Sequence, residues 1–141
     1  LDVTIQAQIV RLLKGLQAKN GMAMLFITHD LALVSQVSDK IAVMYAGKIA
    51  EYGSAQQVFA KPHHPYTQSL LAALPGAHHP PKSPLLALEG QVPAIQDMPK
   101  GCRFVNRCPH AADICREEIP PQDITTEATV VACHRWKEIA Q

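Results

Sequence analysis

Two sets of side chains in this sequence have the types and spacing to do chemistry. The first is His29, in the triplet Thr28-His29-Asp30 that interrupts the apolar run Met22-Ala23-Met24-Leu25-Phe26-Ile27. A polar triplet ending a buried strand of an open parallel sheet stands where such sheets bind ligands, outside the carboxyl ends of the strands. An imidazole there can donate to a phosphate or orient a water; the plainer reading is a histidine that merely ends a strand. The second set is Cys102, Cys108, Cys115 and Cys133, separated by five, six and seventeen residues. Clustered cysteines in a reducing compartment read as metal ligands before disulfides. Four thiolates complete a tetrahedral zinc site or hold a [4Fe–4S] cluster. The paired Cys-x2-4-Cys knuckles of zinc sites are absent, as is the Cys-x2-Cys-x2-Cys run of ferredoxins, so spacing leaves both open. His110 and His134, each close to a cysteine, are either replacement ligands, hydrogen-bonding neighbours or plain surface residues.

The elements that must position these groups follow two physical plans. All 11 prolines lie between Pro62 and Pro121 and all four cysteines between Cys102 and Cys133, whereas residues 1–61 contain neither. Asp2 can cap a helix whose apolar face is Val3, Ile9, Leu12, Leu13 and Leu16, stopped at Asn20-Gly21. Met22–Ile27 reads as a buried parallel strand, Asp30 as the cap of a helix over 31–37, and Lys40–Tyr45 and Lys48–Tyr52 as a hairpin turning through Ala46-Gly47. Gly53-Ser54 starts a short helix ending near Phe59. Pro65 opens a further helix that Pro75-Gly76 stops; residues 76–101 read as a proline-rich extended linker, and 111–118 and 130–136 as short helical pieces. Tyr66, Leu70, Leu71 and Leu74 form a packing face, and Trp136 anchors the chain end. His63-His64 and His78-His79 read as solvated loop doublets.

This order, and its residues, resemble the C-terminal third of an ABC-transporter ATPase domain. Leu1-Asp2 resembles the D-loop, His29 the switch histidine, and Tyr45–Gly53 the hairpin that follows. His63-His64-Pro65-Tyr66-Thr67-Gln68-Ser69-Leu70-Leu71-Ala72-Ala73-Leu74 and the four-cysteine region resemble the C-terminal extension of dipeptide and oligopeptide importer ATPases. The resemblance implies an α/β fold: residues 1–61 as the C-terminal part of a P-loop ATPase domain, 62–101 as a helix and linker, and 102–141 as a small loop-rich, cysteine-bearing metal-binding extension. It implies His29 as a contact of the ATP γ-phosphate and Asp2 as a residue acting across a dimer of ATPase domains, these two being the catalytic candidates. It also implies that Cys102, Cys108, Cys115 and Cys133 hold a [4Fe–4S] cluster, with zinc as the alternative.

No Gly-x-x-x-x-Gly-Lys-Ser/Thr loop, Leu-Ser-Gly-Gly-Gln signature or Walker B Asp-Glu pair occurs in these residues. ATP and Mg²⁺ are therefore cofactors expected of a complete subunit, and the 141 residues alone are expected neither to bind nor to hydrolyse ATP. The first residue is Leu, which reads as a piece of a longer protein. The resemblance further implies a second ATPase subunit and membrane permease subunits as partners, at the cytoplasmic face of the inner membrane. A net charge of +1, with basic residues scattered singly, gives no footprint for nucleic acid. No apolar run approaches the ~20 residues of a membrane helix. The competing expectation is a stand-alone metal-binding interaction module whose α/β part has no nucleotide role. Because residues 76–141 hold few large apolar side chains, four metal ligands would contribute to folding directly.

Overall fold

The computed structural model describes residues 3–74, 88 and 90–139. They form two compact units, Leu1–Val37 and Ser38–Gln141.

The described residues of the first unit form two helices. Helix α1 (Val3–Asn20) ends where Gly21 takes the left-handed conformation, φ +63°, the stop expected of Asn-Gly. Helix α2 (Leu31–Val37) starts at Asp30, whose Oδ1 accepts from the Leu33 amide at 3.0 Å. The Asp30 amide in turn donates to Thr28 Oγ1 at 3.0 Å. Between the helices, Met22–Ile27 is not a strand, against expectation; Leu25 is 89% and Ile27 93% exposed. A parallel strand exists only through hydrogen bonds to neighbouring strands, and among the described residues of this unit there is no strand to supply them. The apolar run is a capacity for burial that this unit leaves unused. Ile9, Leu12 and Leu16, three members of the α1 face, are exposed as well.

The second unit is built on a four-stranded antiparallel sheet of order β1-β2-β4-β3. Strand β1 (Lys40–Tyr45) alternates with a period of two, burying Ile41, Val43 and Tyr45. Ala46 and Gly47, both at positive φ (46° and 78°), form the two-residue turn whose twist suits a hairpin. Strand β2 (Lys48–Ser54) pairs with β1 until the register shifts between Val43, opposite Glu51, and Met44, opposite Ile49. This bulge breaks the alternation, so that the successive residues Ala50 and Glu51 are both buried. Ser54 caps helix α3 (Ala55–Ala60), and His64 caps α4 (Pro65–Ala72), with Pro65 in its first turn.

After α4 come single 3-10 turns at Ile95–Asp97 and Val105–Arg107, helix α5 (Asp113–Glu117), strands β3 (Asp123–Ile124) and β4 (Val130–Val131), and helix α6 (Trp136–Ile139). Residues 130–136 were expected to be helical. Val130 and Val131 instead pair with Tyr52 and Glu51 of β2, because that edge of the hairpin offers free backbone groups and β-branched valines suit it. Gly53 admits this strand: a Cβ there would lie 2.5 Å from Thr129 Cγ2. The core is Val58, Phe104, Val105 and Val131 with the inner face of β1. Tyr45 meets Tyr66 and Phe104 edge-on, with centroids 4.8 and 5.1 Å apart. The packing face expected of α4 is thus realised at Tyr66. The proposed linker residues 76–87 and 89 and the doublet His78-His79 lie outside the described residues.

Candidate functional site

Each of the two candidate sites lies within one unit. His29 is exposed, in the turn ahead of α2. The Thr28 hydroxyl and the Asp30 carboxylate that flank it are engaged in shaping that turn, leaving the imidazole as its outward polar group. Asp2 lies outside the described residues.

The cysteines converge. Cys102 immediately precedes the segment whose 3-10 turn begins at Val105, and the Val105 amide donates to its carbonyl at 3.1 Å; Cys108 follows that turn, its own amide donating to the Val105 carbonyl. Cys115 lies in α5, and Cys133 stands between β4 and α6. The Cys102 amide donates to the Cys115 carbonyl at 2.8 Å, tying the first and third together. Gly101 makes this approach possible, since a Cβ there would stand 2.5 Å from the Cys115 carbonyl oxygen and 2.8 Å from that of Glu118. All four cysteines line one cavity of about 10 Å³, with His64, Phe104, His110, His134 and Arg135 among its other walls.

None of the four is in a disulfide. Burial pushes the thiols of Cys102 and Cys108 up, and the negative charge of neighbouring thiolates adds to it: Cys115 on Cys102, and Cys102 and Cys115 on Cys108. Cys133 rises to about 11, by burial first and then by the other three cysteines. In each of these three, burial is the main cause that disfavours the thiolate, and the sulfurs alongside disfavour it further. A cation at their centre would reverse the balance, because thiolates that repel one another are what a positive metal neutralises. Among the described residues no group of three or more His, Cys, Asp or Glu side chains is already at metal-holding geometry. What the four residues share is thiol donor chemistry and one cavity. His134 Nε2 lies 3.0 Å from the Glu118 carbonyl, and the Arg135 guanidinium donates to the His110 carbonyl at 3.0 Å; the latter bond ties the Cys108 loop to the segment after Cys133.

A polar cluster that the sequence did not reveal braces this region. His63 and His64, expected to be solvated, are 1% and 3% exposed. The reason is the β2 bulge, which turns the Glu51 carboxylate inward, fully buried, to accept from the His63 amide at 2.8 Å and the His64 amide at 3.1 Å. The His63 ring lies 3.5 Å from Glu51 on one side and 3.2 Å from Glu127 on the other. Glu127 is held at about 2 by hydrogen bonds from Lys61, at 2.6 Å, and Thr126. His64 Nδ1 accepts from the Tyr66 amide at 3.0 Å, and burial lowers its pKa to about 4. Trp136 is anchored as expected, donating to Asp123 at 2.9 Å and meeting the His63 ring edge-on. The only advance signal was a lone glutamate within the hairpin run Lys48–Tyr52.

Fold and site together define a small α/β chain with a cysteine-bearing C-terminal part, and comparison with known proteins shows what it is similar to. Residues 50–115 match the family described as the oligopeptide/dipeptide transporter, C-terminal region. The resemblance to the C-terminal portion of a peptide-importer ATP-binding subunit is therefore borne out. Over 134 residues, 95% of its length, the chain is 50% identical to the dipeptide transport ATP-binding protein DppD of Escherichia coli. It is 47% identical over 135 residues, again 95% of the chain, to a probable peptide ABC transporter ATP-binding protein, y4tS, of Sinorhizobium fredii. It is 41% identical over 145 residues, 99% of the chain, to a putative peptide import ATP-binding protein, BOV_A0348, of Brucella ovis. The chain spans 41%, 38% and 43% of the lengths of these three relatives. Among the described residues, no helix is long and apolar enough to cross a membrane.

Proposed function

We propose that this chain is the C-terminal part of an ATP-binding subunit that energises the import of dipeptides or oligopeptides across the inner membrane, from its cytoplasmic face. The observation that carries this reading is similarity along almost the whole chain to proteins named for dipeptide transport and peptide import. In this reading residues 1–61 complete an ATPase domain, and 62–101 and 102–141 form its extension. His29 meets the γ-phosphate of ATP and helps hold the hydrolytic geometry, and Asp2 acts across the interface with a second ATPase subunit. The exposed imidazole of His29 supports that role. Mg²⁺ and the phosphate-binding loop belong to the complete subunit, and the motion of closing and reopening is passed to the membrane permease subunits.

In the complete subunit, His29→Ala should lower ATP turnover by about 10²-fold, the effect of removing one donor to a developing charge. Unchanged turnover would remove His29 from the site.

Cys102, Cys108, Cys115 and Cys133 together hold a metal centre, a [4Fe–4S] cluster on the family resemblance, whose part is to tie four segments of a thin extension together. The one observation favouring zinc instead is the small size of the cavity, about 10 Å³, which has room for about one small species rather than a multi-atom cluster. Anaerobic purification with elemental analysis and an absorption spectrum decides: iron, sulfide and a broad visible band for the cluster, a colourless protein with one zinc for the ion. A protein with neither overturns the metal assignment.

A further inference from the structure

The second unit has another cavity, of about 350 Å³. Phe104, Cys102 and His64 line both it and the cysteine cavity, so the two adjoin. This volume lies within the range of small-molecule sites, at its lower end. Among the described residues, the charged side chains lining it are Lys48, Lys100 and Arg103, with no Asp or Glu. Among the described residues none of the three cations is in an ion pair: Arg103 donates to the Ala46 carbonyl, a neutral acceptor, which holds the guanidinium at the hairpin turn with its charge uncompensated. The remaining walls are largely apolar. Phe104 is almost fully buried, and Ile49 and Ile119 are 38% and 71% exposed, apolar surface left beside the cations.

We propose that this cavity is a binding site for a small amphipathic organic anion, its charged head between Lys48, Lys100 and Arg103 and its apolar body along Ile49 and Ile119. Three cations facing one cavity, with no carboxylate among the described lining residues to offset them, attract an anion. A zwitterion such as a free amino acid or dipeptide fits less well, because the described lining offers no carboxylate to receive its ammonium group. Inorganic phosphate would satisfy the cations and leave the apolar walls uncovered. Nothing in this assignment depends on the transport reading.

The test is calorimetric titration of the full-length protein with sodium octanoate, and with octylammonium and inorganic phosphate as comparison probes. Octanoate should bind saturably at one site, at least about tenfold more tightly than either comparison probe, the size of a single favourable contact of 1.4 kcal/mol. Lys48→Ala and Lys100→Ala alter exposed side chains and should each weaken octanoate by up to about fivefold, the size of one solvated charge interaction. The double variant should weaken it further, with circular dichroism unchanged. Ile119→Asp, which sets a negative charge on the apolar wall, should weaken it too. Octanoate binding no tighter than octylammonium or phosphate, or binding unaffected in the folded double variant, overturns the proposal.

Discussion

The buried Glu51 carboxylate allows a quantitative test of how strand β2 holds the segment that leads into α4. Its oxygens receive the amides of His63 and His64, at 2.8 and 3.1 Å, in a place where carboxylate and rings are all but inaccessible. In Glu51→Gln the side chain keeps its shape, but one carboxylate oxygen becomes an amide nitrogen. That nitrogen faces a backbone N–H, so one of the two bonds is lost and a buried donor is left without a partner. Such a donor costs about 1–3 kcal/mol, and the remaining bond drops from charge-assisted to neutral strength, a further ~1 kcal/mol. The expected loss is therefore about 2–4 kcal/mol. Urea denaturation followed by the fluorescence of Trp136, the chain's one tryptophan, reads it directly, because that ring stands against His63. The urea midpoint should fall with the slope unchanged. A loss below about 0.5 kcal/mol would refute the reasoning: the amides of His63 and His64 would then find other acceptors at no cost.

Three further outcomes are expected. Gly101→Ala sets a Cβ against the Cys115 and Glu118 carbonyl oxygens and should cost about 1–3 kcal/mol while making the four thiols react faster with a disulfide reagent. His64 titrates near 4 in the fold because burial disfavours its charge, and near 6.5 when unfolded. As pH falls from 6.5 to 4 the unfolded chain takes up a proton that the native one refuses. Stability should thus drop across that window by about 3 kcal/mol, and His64→Asn, which keeps an acceptor for the Tyr66 amide, should flatten the profile in urea titrations. Ala46→Asn should raise stability by about 0.5–1 kcal/mol, since Ala46 is at positive φ and Asn-Gly is the favoured pair for such a turn; an unchanged or lowered melting temperature would count against the turn assignment.

What the sequence determined by itself was local. Helices α1, α2, α3 and α4, their caps at Asp30 and Ser54, the Gly21 stop and the Ala46-Gly47 turn were all legible, because each rests on contacts within a few residues. The association of the four cysteines was legible from their number and from resemblance. Tertiary structure alone decided the rest. Met22–Ile27 carries the composition of a buried strand, yet a strand needs partners distant in sequence, and the unit that holds it has none among the described residues. Val130 and Val131 became a strand because the β2 edge was there to receive them. One extra residue in β2 turned Glu51 inward and drew His63 and His64 into the core with it. Such a bulge is a property of the pairing between two strands, and no pattern along a single strand announces it.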